Sequence, residues 1–268
     1  MLRRRPARLR PPVPLRVGAE PYVAGDGDTG VLLLHGFTGS PASMHAWAEH
    51  LAQHGFRVSV PRLPGHGTCW QELNQTSWHD WYRAVEQSYL ELAARTRTVF
   101  VCGLSMGGAL ALRLAELYPI AGLCLVNPAL HNSDPRLVLL PLLKRMAGSV
   151  AGIANDIAKP FTDEIGYDRT PLRALAQMLQ LWEVTIAGLY RVDCPILLFR
   201  SRHDHVVDPR SQQILIDGVG GPVDSRELEL SFHVATLDYD APLIFAESAA
   251  FIDRLVAGRG DVRGGAQK

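Results

Sequence analysis

The sequence lacks both an apolar run long enough to span a membrane and a cysteine pattern typical of metal binding. No apolar run approaches the roughly 20 residues that a membrane-spanning helix needs. The 4 cysteines, Cys69, Cys102, Cys124 and Cys194, are spaced too far apart for the close pairs typical of structural zinc sites. Three of them lie in or beside apolar runs, where cysteine behaves as a small hydrophobic residue. This pattern favours a reduced, cytoplasmic protein.

Net charge is also absent, since 27 Lys and Arg residues balance 27 Asp and Glu residues. The charges are unevenly distributed, because six arginines and no acidic residue lie in the first 16 positions. Without those six, 21 basic residues remain against 27 acidic ones, a balance of about −6. A negatively charged body argues against nucleic acid as the main partner.

The basic N-terminus is not followed by the apolar stretch of roughly 7–15 residues that a secretory signal peptide requires. We therefore predict that residues 1–17 form a flexible basic arm. As an alternative, the arginines of this arm attract anionic lipid headgroups and give the protein transient contact with a membrane surface.

Apolar runs alternate with amphipathic stretches of helical length, which predicts an α/β fold with a mostly parallel sheet and helices on both faces. The chain has 268 residues, 47% of them hydrophobic, and suits one large domain, which we place at 18–257. The predicted strands are 31–35, 57–61, 98–103, 122–127, 195–200 and 226–230. The predicted helices are 41–54, 77–95, 106–117, 209–219 and 242–256.

Residues 129–191 interrupt this alternation. The segment lies between two predicted strands and is rich in Leu, Met and Ala. Because a structureless loop of this length is rare in a compact domain, we predict a small helical cap inserted over the carboxyl edge of the sheet. The Gly-rich and polar residues 258–268 are predicted to form a loose tail.

Ser105 is the candidate nucleophile. An apolar strand, the pattern Gly-x-Ser-x-Gly at 103–107 and a helix-forming run follow one another. A serine on a sharp strand-to-helix turn has a strained backbone, so the residues two positions away must lack side chains. The turn also places Ser105 at a helix N-terminus, where backbone N–H groups favour developing negative charge.

A serine needs a base, and the base needs an acid that orients it. In a strand–turn–helix site of this kind the chain order is Ser, acid, His, which leaves His203, His205 and His233. We predict His233 as the base, because it follows the last predicted strand. Asp204 follows the preceding strand and is the predicted acid. Asp208 is the alternative, although it also suits the N-cap of the next helix.

The tetrahedral intermediate needs two backbone donors. The amide of Met106 follows the nucleophile directly. The second donor should come from the loop after an early strand, and the amide of Phe37, next to Gly36, is the predicted one. We interpret His35 as a structural hydrogen-bonding residue rather than as a catalyst.

These residues together resemble the bacterial monoacylglycerol lipase and small carboxylesterase branch of the α/β-hydrolases. The motifs that carry the resemblance are 61–68, 79–81, 204–207 and 233–240, and the similarity runs from about residue 18 to residue 256. The resemblance implies the same triad and the same two oxyanion donors. Ser231-Phe232 departs from the branch's usual sequence before the histidine, and most of the cap matches poorly.

Residues 163–171 of the cap resemble the segment in which that branch carries a glutamate for the glycerol hydroxyls, and Glu164 matches this position. A carboxylate suits a polyol because it can accept two hydrogen bonds. The alternative is that Glu164 is an ordinary exposed helix residue.

The sequence thus predicts a carboxylic ester hydrolase that works through an acyl-enzyme, with monoacylglycerol as the substrate and no metal or organic cofactor. The Leu- and Met-rich cap should supply the acyl site. The alternatives are a broad-specificity carboxylesterase or thioesterase and a non-catalytic ligand-binding protein of the same fold.

Overall fold

The apolar runs form one seven-stranded sheet in the computed structural model, which describes residues 13–264. The described residues contain seven strands in this sheet and two outside it. They are β1 Tyr22–Ala24, β2 Thr29–Leu34, β3 Arg57–Val60, β4 Thr98–Leu104, β5 Leu123–Val126, β6 Ser149–Ala151, β7 Arg169–Pro171, β8 Ile196–Ser201 and β9 Val223–Leu228, of which β6 and β7 lie outside the sheet. The sheet order is β1-β3-β2-β4-β5-β8-β9, in which β1 is antiparallel to β3 and all other neighbours are parallel. The predicted fold class is confirmed.

Helices cover both faces of this sheet. They are α1 Ala42–Gln53, α2 Trp70–Leu73, α3 Trp78–Ala93, α4 Met106–Ala115, α5 Leu140–Met146, α6 Leu172–Gly188, α7 Arg210–Gly218 and α8 Ala241–Gly264. Successive residues of a strand point to opposite faces. Accordingly, Leu32 and Leu34 lie in the core beneath α3, α4 and α6, whereas Val31 and Leu33 lie in the core with α1 and α8. The buried central strands make the carboxyl edge of the sheet a rigid platform for the loops that follow them.

The insertion at 129–191 is only partly the helical cap that the sequence predicted. It contains α5 and α6, but β6 and β7 pair as an antiparallel hairpin, and residues 152–168 between them form neither helix nor strand. Strands of three residues are too short to produce a recognisable alternation, and the same applies to β1 at the edge of the main sheet. Helix α6 packs into the main core through Leu181 and Trp182.

The ends of the chain also differ from the prediction. Helix α8 continues to Gly264, where we expected a loose tail from about residue 258, and 265–268 lie outside the described residues. Of the predicted arm, 1–12 lie outside the described residues as well, whereas Arg16 is fixed against the body. Its side chain donates hydrogen bonds to the carbonyls of Thr68 (3.2 Å) and Gly166 (2.6 Å).

Candidate active site

Ser105 lies between β4 and α4 with a strained backbone, φ 56° and ψ −118°. A side chain at Gly103 would come within 2.5 Å of the carbonyl oxygen of Gly107, and one at Gly107 would overlap the carbonyl of Leu34. The two glycines are therefore required by the close approach of three backbone segments, as the sequence pattern predicted. Ser105 is 7% exposed and lines a cavity under the cap.

His233 and Asp204 meet in the loops after β9 and β8. Nδ1 of His233 lies 2.8 Å from Oδ2 of Asp204, and Oδ1 of Asp204 accepts hydrogen bonds from the amides of Val206 (2.8 Å) and Val207 (2.9 Å). Because the carboxylate accepts at Nδ1, Nε2 is the ring nitrogen that can act as the base. His233 lines the same cavity as Ser105.

The two groups shift each other's pKa in opposite directions. Burial alone would lower the pKa of His233, but the carboxylate of Asp204 and its hydrogen bond raise it above the ordinary value. Burial would raise the pKa of Asp204, but His233 and the two backbone amides hold it below the ordinary value. Both shifts favour an ionised acid beside a base that is readily protonated.

The alternative acid Asp208 and the alternative base His205 have other partners. Asp208 accepts a hydrogen bond from the amide of Arg210 (2.9 Å) at the start of α7, as expected of a helix-capping residue. His205 is bound to Asp156 of the cap, with 2.9 Å between Nδ1 and Oδ1.

The loop after β2 lies against the nucleophile, where the second oxyanion donor is predicted. A Cβ built on Gly36 would stand 3.4 Å from Cβ of Ser105 and 4.0 Å from its Oγ. Phe37, the next residue, lines the cavity with Ser105. The amide of Met106 is the first of α4, and the first amides of a helix have no partner within it. These two amides stay the predicted oxyanion donors.

His35 is completely buried behind this loop and does not line the cavity. Its Nε2 accepts a hydrogen bond from the amide of Leu63 (3.2 Å). Burial lowers the pKa of His35 to about 4, so its ring is neutral at pH 7. These contacts support the interpretation of His35 as a structural residue.

The cavity has a volume of about 490 Å³, within the usual range for small-molecule sites. Its apolar wall comes mainly from the cap, from Leu137, Leu140, Leu143, Leu172, Leu175 and Met178. Polar groups are fewer and include the carboxylates of Glu164 and Asp156 near His233. The cavity therefore combines an apolar wall with two carboxyl groups near the predicted base.

Glu164 is not an exposed helix residue, which was the alternative interpretation. It lies in the irregular segment of the cap, is 9% exposed and lines the cavity. Its Oε1 accepts from the amide of Asn155 (3.2 Å), and its own amide donates to Oδ1 of Asn155 (3.0 Å). Burial raises the pKa of Glu164 above the ordinary value.

Sequence reasoning missed Asn127, which connects three parts of the site. Its Nδ2 donates to the carbonyl of His233 (2.8 Å) and to Oγ of Ser201 (2.9 Å), while its Oδ1 accepts from the amide of Ser201 (2.8 Å). Asn127 has a positive φ of 44° at the end of β5. Its place directly after a buried strand was the available signal, because the carboxyl ends of parallel strands meet at one edge.

Known proteins resemble this chain over most of its length. Residues 31–259 match the model of the alpha/beta hydrolase family. The chain belongs to this family. Among its relatives, a thermostable monoacylglycerol lipase from Bacillus sp. (strain H-257) is 41% identical over 249 residues, which are 89% of this chain and 96% of that protein.

Two further similarities agree with this placement in the alpha/beta hydrolase family. A carboxylesterase from Bacillus subtilis (strain 168) is 28% identical over 89% of this chain and 98% of its own length. A solved chain from a study of the metagenome-derived lipolytic enzymes LipS and LipT superposes with a TM-score of 0.87 at 38% identity, covering 90% of this chain and all of that one. The resemblance predicted from the sequence motifs is confirmed, and with it the prediction of a hydrolase.

Two kinds of feature are absent from the described residues 13–264. Within that range, no helix is long and apolar enough to cross a membrane. In the same range, no three His, Cys, Asp or Glu side chains are grouped so that they could hold a metal ion.

Proposed function

We propose that the protein hydrolyses monoacylglycerols to a fatty acid and glycerol, with Ser105, Asp204 and His233 as its catalytic triad. One observation carries the proposal: the cavity that contains Ser105 and His233 also has an apolar wall from the cap and the buried carboxylate of Glu164. A long acyl chain fits the apolar wall, and a polyol fits the carboxylate. The 41% identical relative is itself a monoacylglycerol lipase.

The reaction begins when Oγ of Ser105 attacks the ester carbonyl carbon while His233 takes the hydroxyl proton. The amides of Phe37 and Met106 stabilise the resulting oxyanion, a contribution of about 3–4 kcal/mol per donor in a well-studied case. The bond to the glycerol oxygen then breaks, and His233 delivers its proton to that oxygen. Asp204 keeps His233 in the required orientation and stabilises its protonated form.

Water completes the cycle. His233 takes a proton from the water as its oxygen attacks the acyl-enzyme, and the fatty acid leaves when the bond to Ser105 breaks. His233 returns the proton to Oγ of Ser105. Every proton in this scheme passes through one ring nitrogen, and the scheme uses neither a metal nor an organic cofactor.

The cap also supports the proposed contact with a lipid surface. Val138, Leu142 and Met146 are large apolar residues exposed on and beside α5. They adjoin Leu137, Leu140 and Leu143, which line the cavity. Transient contact through this surface would admit a monoacylglycerol from a membrane. A cytoplasmic location stays a prediction from the cysteine pattern.

Hydrolysis rates on a panel of substrates test the proposal. With a shared acyl chain, we expect higher kcat/KM for 1-monoacylglycerol than for a simple alkyl ester or an acyl thioester. Equal or lower kcat/KM for the monoacylglycerol would instead indicate a broad carboxylesterase or thioesterase. Ser105→Ala is the control, and full activity in that variant would refute the assignment of the site.

A further inference from the structure

The irregular segment of the cap is attached to both loops that carry the acid and the base. Oδ2 of Asp156 accepts hydrogen bonds from the amides of His205 (3.2 Å) and His233 (3.1 Å). Its Oδ1 lies 2.9 Å from Nδ1 of His205. The carboxylate of Asp156 thus holds both His205, which follows the predicted acid, and His233, the predicted base.

The main chain of the segment repeats this attachment. The carbonyl of Asp156 accepts from the amide of Val234 (3.1 Å). From the opposite side, the buried carboxylate of Asp238 accepts from the amides of Ala158 (2.7 Å), Lys159 (3.0 Å) and Phe232 (2.9 Å). The loop of the base and residues 156–159 of the cap therefore exchange hydrogen bonds in both directions.

Asp156 itself is held in a conformation suited to this contact. Its side chain is 11% exposed, so its hydrogen bonds face little competition from water. The preceding residue, Asn155, has a positive φ of 54° and is bound to Glu164 through two hydrogen bonds. A strained residue persists when its surroundings fix it, as these two bonds do.

We propose that Asp156 is a positioning residue that fixes the loops of Asp204 and His233 relative to each other from the cap. This inference rests on the proposed function, because it assigns His233 the role of the base. It assigns Asp156 no contact with the reacting atoms. Its effect passes through the backbone of His233 and through His205. The ring of His205 also packs edge-on against that of Phe232, with 4.6 Å between the ring centroids.

The charge of Asp156 acts on His233 as well. The charged groups that face the buried ring are Asp204 of the acid loop and Glu164 and Asp156 of the cap, and all three raise its pKa against the lowering effect of burial. Removal of the Asp156 charge therefore lowers the pKa of His233. The acidic limb of the kcat/KM profile, which reports the base of the free enzyme, should shift to lower pH.

Three variants separate the geometric and the electrostatic effects. Asp156→Ala removes all three side-chain contacts, and we expect a loss in kcat of about 10- to 100-fold with little change in KM. Asp156→Asn keeps one oxygen acceptor, so its loss in kcat should be smaller than that of Asp156→Ala. Both variants remove the charge, so the acidic limb of the kcat/KM profile should shift equally far in both. His205→Ala keeps both the charge and the bond to His233, so it should lower kcat least and leave the limb in place.

Asp168→Asn is the matched control, because it removes one charge from the same cap. Asp168 is exposed, and its side chain forms no hydrogen bond or ion pair within residues 13–264. The measurements are kcat, KM and the pH profile of kcat/KM for a 1-monoacylglycerol and for an alkyl ester of the same acyl chain. Because positioning acts on the base, Asp156→Ala should lower kcat for both substrates by the same factor.

Thermal unfolding of each variant shows whether it is folded, and Asp156→Asn and His205→Ala test the inference if Asp156→Ala does not fold. The inference is overturned if Asp156→Asn matches Asp168→Asn in kcat and in its acidic limb, or if its effect is confined to KM. An inactive wild type would overturn the proposed function and this inference with it. An active wild type with unaffected Asp156 variants would overturn this inference alone.

Discussion

The sheet and the cap are stabilised in different ways. In the sheet, β2 pairs with β4 over six register positions, and the side chains of Val31 to Leu34 are fully buried on both faces. In the cap, residues 152–168 have no regular structure and are held by individual side chains such as Asp156 and Glu164. Cooperative packing fixes the strands that carry the loops of the proposed triad, whereas separable contacts hold the cap against those loops. Changes in the sheet loops should therefore abolish activity, and changes in the cap should adjust it.

The largest expected effect is in the sheet loops. Asp204→Asn preserves shape but no longer holds His233 in the required tautomer, and we expect kcat to fall about 10⁴-fold. Asp208→Asn is the matched control, since its carboxylate lies in the same loop but caps α7. Rates of ester hydrolysis measure both. Similar losses in the two variants would contradict the assignment of Asp204.

The stability of the sheet body to acid is the next expected effect. Unfolded His35 titrates near pH 6.5, but burial lowers its pKa in the folded protein to about 4. Between these values the unfolded chain binds a proton that the folded chain does not, so the free energy of unfolding falls as the pH falls. His35 alone should remove about 2 kcal/mol between pH 7 and pH 5, and the loss should level off only below pH 4.

Denaturant unfolding of the wild type and of His35→Gln at pH 7 and pH 5 measures this contribution. Glutamine keeps an oxygen that can accept from the amide of Leu63 but does not titrate. The variant should therefore lose about 2 kcal/mol less than the wild type over this interval. The same pH dependence in both proteins would refute the role of His35.

In the cap, Glu164 should affect the choice of substrate rather than the chemistry. Glu164→Ala removes the carboxylate that we propose for the glycerol hydroxyls, and kcat/KM for 1-monoacylglycerol should fall about 10-fold. An alkyl ester of the same chain has no hydroxyls to lose, so its kcat/KM should fall less than that of the monoacylglycerol. A loss of equal size for both substrates would show that Glu164 supports the fold of the cap instead.

The same contrast explains what could be predicted from the sequence. Strand-length apolar runs and the Gly-x-Ser-x-Gly turn gave the sheet and the positions of Ser105, Asp204 and His233, because buried parallel strands have a strong pattern. Asp156 gave no signal, since its partners are backbone amides 49 and 77 residues away. Such contacts depend on how an irregular segment folds back, which no local period records.

The smallest expected effect concerns Arg16, which links the start of the described chain to the cap. Its guanidinium lies 5.0 Å from the ring centroid of Tyr167 and donates to the carbonyl of Gly166. The hydroxyl of Tyr167 in turn bonds to the backbone of Gly65 (2.8 Å). Because Gly166 lies two residues after Glu164, the loss of this contact should loosen the position of the carboxylate.

An exposed cation–π contact contributes about 0.5–1 kcal/mol, so Arg16→Ala should raise KM for 1-monoacylglycerol about 2- to 5-fold. Kcat should be unchanged, because Arg16 touches neither sheet loop that carries the triad. Arg16→Lys keeps the charge but not the planar fork, and its KM should lie between those of Arg16→Ala and the wild type. If KM is the same in all three proteins, the cap holds Glu164 without this contact. The contacts that hold the cap would then include those of Asn155 and Asp156 but not that of Arg16 in the N-terminal arm.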